Sequence, residues 1–175
     1  MHAEVFSPFT HLMELFGYQQ ALMALIDAPQ ICHRLLEQFV NVVEATVRCL
    51  GPCSPDAILI SSAFAGAGFV SREMYREFVS PYEKRVVDVI HEFEIPAYTH
   101  TCGAIGDRLD LMADTGIDGI DTLDPPPLGS VDLAHAKAEF GERLFFKGTL
   151  DAVKEMLQAG AVEVRDAVLE RVRIG

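Results

Sequence analysis

The sequence predicts an α/β chain on a parallel sheet, about half of a (β/α)8 barrel of the TIM type. Three observations predict it. Short apolar runs recur at 57–60, 97–100, 117–121 and 143–148, each bounded by Gly, Pro, Asp or Ser. Helical patterns separate them, giving a strand, loop and helix repeat of about thirty residues, the length of a βαβ unit. Each run also ends on side chains capable of chemistry: Ser61 and Ser62, His100 and Cys102, Asp121, and Lys147. Those are the strand C-termini, where such barrels carry their reactive groups.

Residues 1–175 are taken as one partial barrel, with a helical segment at 1–51 and four βα units over 52–175. The first segment contains no obvious strand. Ser7-Pro8 starts a helix with Leu12, Leu15 and Phe16 on its apolar face; Gly17 interrupts it, and Ala21, Leu22, Leu25 and Ile26 continue the pattern. Pro29 suits the first turn of a long helix in which Leu35, Leu36, Phe39, Val43, Val47 and Leu50 recur at helical spacing. The continuous run Ala57-Ile58-Leu59-Ile60 then reads as a strand buried on both faces. Ser71 is an N-cap for an amphipathic helix through Tyr75, Phe78, Tyr82, Val86 and Ile90. A helix over 103–115 follows the third run, and Pro125-Pro126-Pro127 forces an extended loop before a helix at 131–140. Asp151 caps a helix through Met156, and Gly160 separates it from another at 161–172.

With 175 residues and 50% hydrophobic content, the chain can bury the core of a domain. A formal charge of −12 argues against a nucleic-acid partner, and Arg72, Arg76, Lys84 and Arg85 are scattered along helices. No apolar run reaches bilayer-spanning length, so no membrane partner is expected. The four cysteines, Cys32, Cys49, Cys53 and Cys102, come with no signal peptide, which points to a reducing cytoplasm and free thiols. Four strands are half of a closed barrel, so either a second copy covers the open side or the chain is a piece of a longer protein.

The chemistry centres on His100-x-Cys102. In a strand, the period of two sends both side chains to one side, where imidazole and thiolate are good zinc donors. The pair reads either as part of a zinc site or as a small buried cysteine beside a hydrogen-bonded histidine. Asp121 and Lys147 are catalytic candidates by their joint placement, although each alone reads as a strand-end carboxylate and a solvated amine. The small-residue loop after the first run, with Ser61, Ser62, Phe64 and Gly66, lines a substrate or packs closely on a neighbour. It is no nucleotide fingerprint, lacking both the third glycine and a P-loop lysine.

Several motifs in order resemble the uroporphyrinogen decarboxylase superfamily. They are Pro8-Phe9 with Leu12 to Gly17, Ser62-x-x-Ala65-Gly66, Ser71-x-x-Met74-Tyr75-x-x-Phe78-x-x-Pro81-Tyr82, His100-x-Cys102-Gly103, Thr115-Gly116-x-Asp118-Gly119-Ile120 and Lys147-Gly148-x-Leu150-Asp151. The resemblance spans nearly the whole chain. It implies a (β/α)8 barrel and offers two activities. His100-x-Cys102 is similar to the zinc motif of the corrinoid methyltransferase branch, which implies methyl transfer between a corrinoid, free or on a protein, and a thiol. A third zinc ligand is then expected beyond Gly175, with Asp121 orienting His100. The decarboxylase branch implies a metal-free pocket that binds tetrapyrrole carboxylates through basic groups, for which this stretch offers Lys147 and Arg72. A third expectation is an inactive fragment serving as an assembly module.

Overall fold

A computed structural model describes residues 1–174 of the chain. Five strands, β1 His2–Phe6, β2 Ala57–Ser61, β3 Ala97–His100, β4 Gly119–Asp121 and β5 Phe145–Lys147, form one sheet in the order β1-β2-β3-β4-β5. Every neighbouring pair is parallel. Spatial order repeats chain order, as in a singly wound barrel, and here β1 and β5 are left as free edges.

The alternation of side chains divides the sheet into two faces. Val5, Ile58, Ile60, Ala97, Thr99 and Ile120 are buried toward the helices. The longest helix, α3 Pro29–Leu50, presents Cys32, Leu36, Val40, Val43 and Val47 as one buried stripe, packed on α1 Pro8–Phe16 and on β1. Between them lies α2 Tyr18–Asp27. The opposite, concave face is open, with Phe6 43% and Phe145 45% exposed.

The reading of 1–51 as wholly helical is corrected at its start, where His2–Phe6 is a strand. Only Val5 of its five residues is fully buried, so the apolar signal is weak. Pairing with β2, from His2 against Ala57 to Phe6 against Ser61, holds it in place.

The helix expected from Ser71 to Ile90 is two helices, α4 Arg72–Phe78 and α5 Ser80–His91. Pro81 lacks the N–H that the Glu77 carbonyl would need, so the chain bends at Val79. The helix expected over 103–115 shrinks to a 3-10 turn, Gly106–Arg108, and α6 Leu109–Ala113. Gly103 sits at φ +80, outside the helical region, and gives its N–H to the Asp124 carboxylate, so the helix starts only after it. The fourth predicted strand narrows to β5, because Gly148 turns the chain at φ +109. After α7 Leu133–Phe140, Asp151 caps a π-helical turn, Ala152–Gln158, and α8 Ala161–Ile174 follows. Among the described residues, no helix is long and apolar enough to cross a membrane.

Candidate functional site

Strand register brings the predicted residues into one line. Phe6, Ser61, His100, Asp121 and Lys147 are successive Cα partners across all five strands, at their C-terminal ends. The row two residues below is Glu4, Leu59, Tyr98, Gly119 and Phe145, on the same concave face. Gly119 is required in that row, because a Cβ there would lie 2.4 Å from the Phe145 ring. The Phe145 ring therefore reaches across β4 toward Tyr98, with centroids 5.6 Å apart.

His100 and Cys102 meet, with Nε2 3.1 Å from Sγ. The other ring nitrogen, Nδ1, shares a 2.8 Å hydrogen bond with Thr122 Oγ1. Asp121 does not perform that orienting role, as its Oδ2 is 3.7 Å from Nδ1 and instead accepts from Lys147 Nζ at 2.9 Å. That bond raises the Lys147 pKa. Its ammonium also lies 5.7 Å over the Tyr98 ring, whose hydroxyl meets His2 Nδ1 at 2.9 Å. Thr122 holds φ +66, a left-handed conformation that costs a β-branched residue about 1–3 kcal/mol.

The Cys102 thiol is pushed up, first by burial and then by the carboxylates of Asp124 and Asp121. A cation would reverse that effect and favour the thiolate. Tetrahedral zinc, with ~2.0–2.1 Å to nitrogen and ~2.3 Å to sulfur, separates such donors by about 3.6 Å. The pair fits two positions of such a metal after a small side-chain rotation. Among the described residues, no group of three or more His, Cys, Asp or Glu side chains is arranged to hold a metal ion.

The loop after β2 forms the wall beside this pair. A Cβ at Gly66 would stand 2.4 Å from the Cys102 carbonyl oxygen, and Ala67 N–H bonds the Ala104 carbonyl at 2.8 Å. Phe64 and Phe69 pack edge to face at 5.4 Å, and Tyr18 adds a third ring 6.5 Å from Phe69. Ser61 lies in the row, whereas Ser62 is fully buried and donates to Ser7 Oγ at 3.1 Å. Arg72 is committed elsewhere, gripping Asp110 with two bonds of 2.6 and 2.5 Å.

Sequence reasoning missed Thr122, Tyr98, Asp124 and Arg108. Tyr98 was open to it, standing two residues before His100 in the same strand. Arg108 was not. It is fully buried and donates to the carbonyls of Ala65 at 2.8 Å and Val70 at 3.1 Å, fixing the wall loop from behind.

The sequence profile of the family described as "Uroporphyrinogen decarboxylase (URO-D)" matches residues 1–175. Among curated relatives, the uroporphyrinogen decarboxylase of Chlorobium limicola is 30% identical over 151 residues, covering 82% of this chain and 40% of that protein. That of Cellvibrio japonicus is 33% identical over 138 residues, covering 77% of this chain and 36% of that protein. The chain thus spans about two fifths of the length of these relatives. A methyltransferase from Methanosarcina mazei has the same fold with a TM-score of 0.85 at 16% identity, covering 99% of this chain and 50% of that one.

Proposed function

We infer, from the premise that this chain belongs to the uroporphyrinogen decarboxylase family, that the complete protein moves a methyl group between a corrinoid and a thiol. The carrying observation is the meeting of His100 Nε2 and Cys102 Sγ at the open strand ends. In this reading these two residues would hold a zinc ion together with a third ligand from elsewhere in the complete protein. Bound zinc would supply Lewis acidity that lowers the pKa of the incoming thiol.

This chain's own residues orient and shield. Thr122 fixes the imidazole so that Nε2 faces Cys102. Asp121 and Asp124 place negative charge beside the sulfur, which favours a cation there. Phe64, Phe69 and Tyr18 form an edge-to-face aromatic cluster on this loop, which would supply apolar contact area to a macrocycle. Lys147 is neutralised by Asp121, which leaves it poorly placed to grip a substrate carboxylate.

The names of the curated relatives favour a second reading, removal of carboxyl groups from a tetrapyrrole in a metal-free pocket. Metal analysis of the complete protein separates the two. Under methyl transfer, zinc is stoichiometric and falls at least tenfold on His100→Ala or Cys102→Ser, and methylcobalamin is demethylated only with thiol present. A metal-free protein that releases carbon dioxide from uroporphyrinogen would reverse the assignment.

A further inference from the structure

Away from the strand ends, one imidazole joins three helices. His33, near the start of α3, has Nδ1 2.7 Å from the Tyr82 hydroxyl and Nε2 3.3 Å from Glu77 Oε1. Its ring stacks on Phe78, with centroids 4.7 Å apart and planes 19° from parallel. Glu77 and Phe78 are the last residues of α4, and Tyr82 lies in the first turn of α5. His33 therefore bridges the break that Pro81 imposes between those helices, with one ring nitrogen on each side of it.

The partners fix where the protons go. A carboxylate can only accept, so a neutral His33 ring carries its one proton on Nε2, toward Glu77. Nδ1 is then bare and accepts from the Tyr82 hydroxyl. The other tautomer would set a bare Nε2 against a carboxylate oxygen. Tyr82 is buried, and burial raises its pKa, so the phenol keeps the proton it donates. A protonated ring has an N–H on both nitrogens, so Nδ1 must donate and the Tyr82 oxygen must accept. The remaining charges on the elements packed here are engaged or exposed. On α3, Glu37 and Glu44 bind Arg85 of α5, and Arg34 is exposed. On α4, Arg72 grips Asp110, while Glu73 and Arg76 are exposed. On α5, Lys84 pairs with Asp88, and Glu83 accepts from Tyr75. On α1 and α2, His11 stacks on Phe39, and Glu14 and Asp27 are exposed.

We propose that His33 is a proton-operated clasp across the break between α4 and α5, in which uptake of one proton reverses the hydrogen bond to Tyr82 and turns the contact with Glu77 into an ion pair. In the neutral state Tyr82 donates and the ring donates to Glu77; in the charged state the ring donates to both helices. The clasp bears on the wall loop, because α4 follows that loop directly after the Ser71 cap. Calling the loop a wall of a site rests on the function proposed above; the clasp does not.

The test is NMR on the 175-residue chain with no metal or corrinoid present, so the outcome is independent of which reaction the complete protein performs. The neutral His33 ring is expected in the Nε2–H form. As the ring takes up its proton, the Tyr82 carbon that bears the hydroxyl and the Glu77 amide should shift with the His33 midpoint. Tyr82 adjoins Glu83, so the titration is repeated in Glu83→Gln, where both shifts should persist. In that background His33→Asn, whose amide oxygen accepts from Tyr82 but takes no proton, should abolish them. His33→Leu removes both bonds and should speed hydrogen exchange over residues 72–78 by at least about threefold, with α3 unchanged. A neutral ring in the Nδ1–H form, or a Tyr82 carbon that stays fixed at the His33 midpoint, overturns the proposal on the unmodified chain alone. So do shifts that vanish in Glu83→Gln or survive His33→Asn, and so does a His33→Leu chain that exchanges as before or opens α3 equally.

Discussion

Burial away from water raises the Glu83 carboxyl to about 7, against an ordinary 4.5, with nearby hydroxyls opposing the rise, and that difference makes stability depend on pH. The folded state binds this proton more tightly than the unfolded chain does. Its contribution is therefore complete below pH 4.5 and is lost as pH rises through about 7, a change of about 3 kcal/mol. Urea unfolding of the chain at pH 5 and pH 8 should show that loss, and Glu83→Gln should remove most of it. Gly66 acts at the same scale through space rather than charge. A methyl group there must push the Cys102 carbonyl away, so Gly66→Ala is expected to cost about 1–3 kcal/mol in urea unfolding. If the complete protein holds zinc as proposed above, Gly66→Ala should also weaken that binding, because the carbonyl belongs to the residue that carries the sulfur.

At the scale of elements, the wall loop between β2 and α4 is held by groups lying far from it in sequence. Arg108 bonds two of its carbonyls from the turn before α6, and Ala67 is tied to the segment after β3. Arg108→Met keeps the volume but leaves the Ala65 and Val70 carbonyls buried without donors, at a cost of about 2–5 kcal/mol. The expected signature in hydrogen exchange is faster opening of residues 62–70 and 102–104, with α3 unchanged. Equal acceleration across α3 would mean that Arg108 supports the whole domain instead of the wall. The Asp121 to Lys147 pair behaves differently. Lys147 is 58% exposed, so Lys147→Met should change stability by no more than about 1 kcal/mol.

For the molecule as a whole, the open concave face and the free edges of β1 and β5 are the governing features. Phe6 and Phe145 on that face, with unpaired backbone groups at both edges, favour contact with another polypeptide. The isolated chain is expected to self-associate, with a second copy over the open face. Light scattering should give a mass that rises with concentration, and Phe145→Asp should lower it. A strictly monomeric chain at every concentration would remove the covering copy from the account.

How much of this was legible in the sequence follows from which contacts are local. The runs at 57–60 and 97–100, the caps at Ser7 and Ser71, and the convergence of His100 with Cys102 depend on neighbours a few residues away, so period and turn chemistry disclosed them. The alignment of Ser61, His100, Asp121 and Lys147 was implied by one regularity, that parallel strands of a βα repeat end at the same rim. Strand β1 was hidden, because an edge strand with one buried residue owes its existence to β2, fifty residues later. Thr122 was hidden because its left-handed backbone is imposed by the packing of β4 against β5. The burial of Glu83 was hidden most deeply, since a charged residue in an amphipathic helix reads as exposed until α1, α5 and β2 are brought together. Sequence alone determined the repeat and the donors it offers; only the tertiary structure decided which nitrogen, carbonyl and proton each donor meets, because those partners are joined by folding and not by the chain.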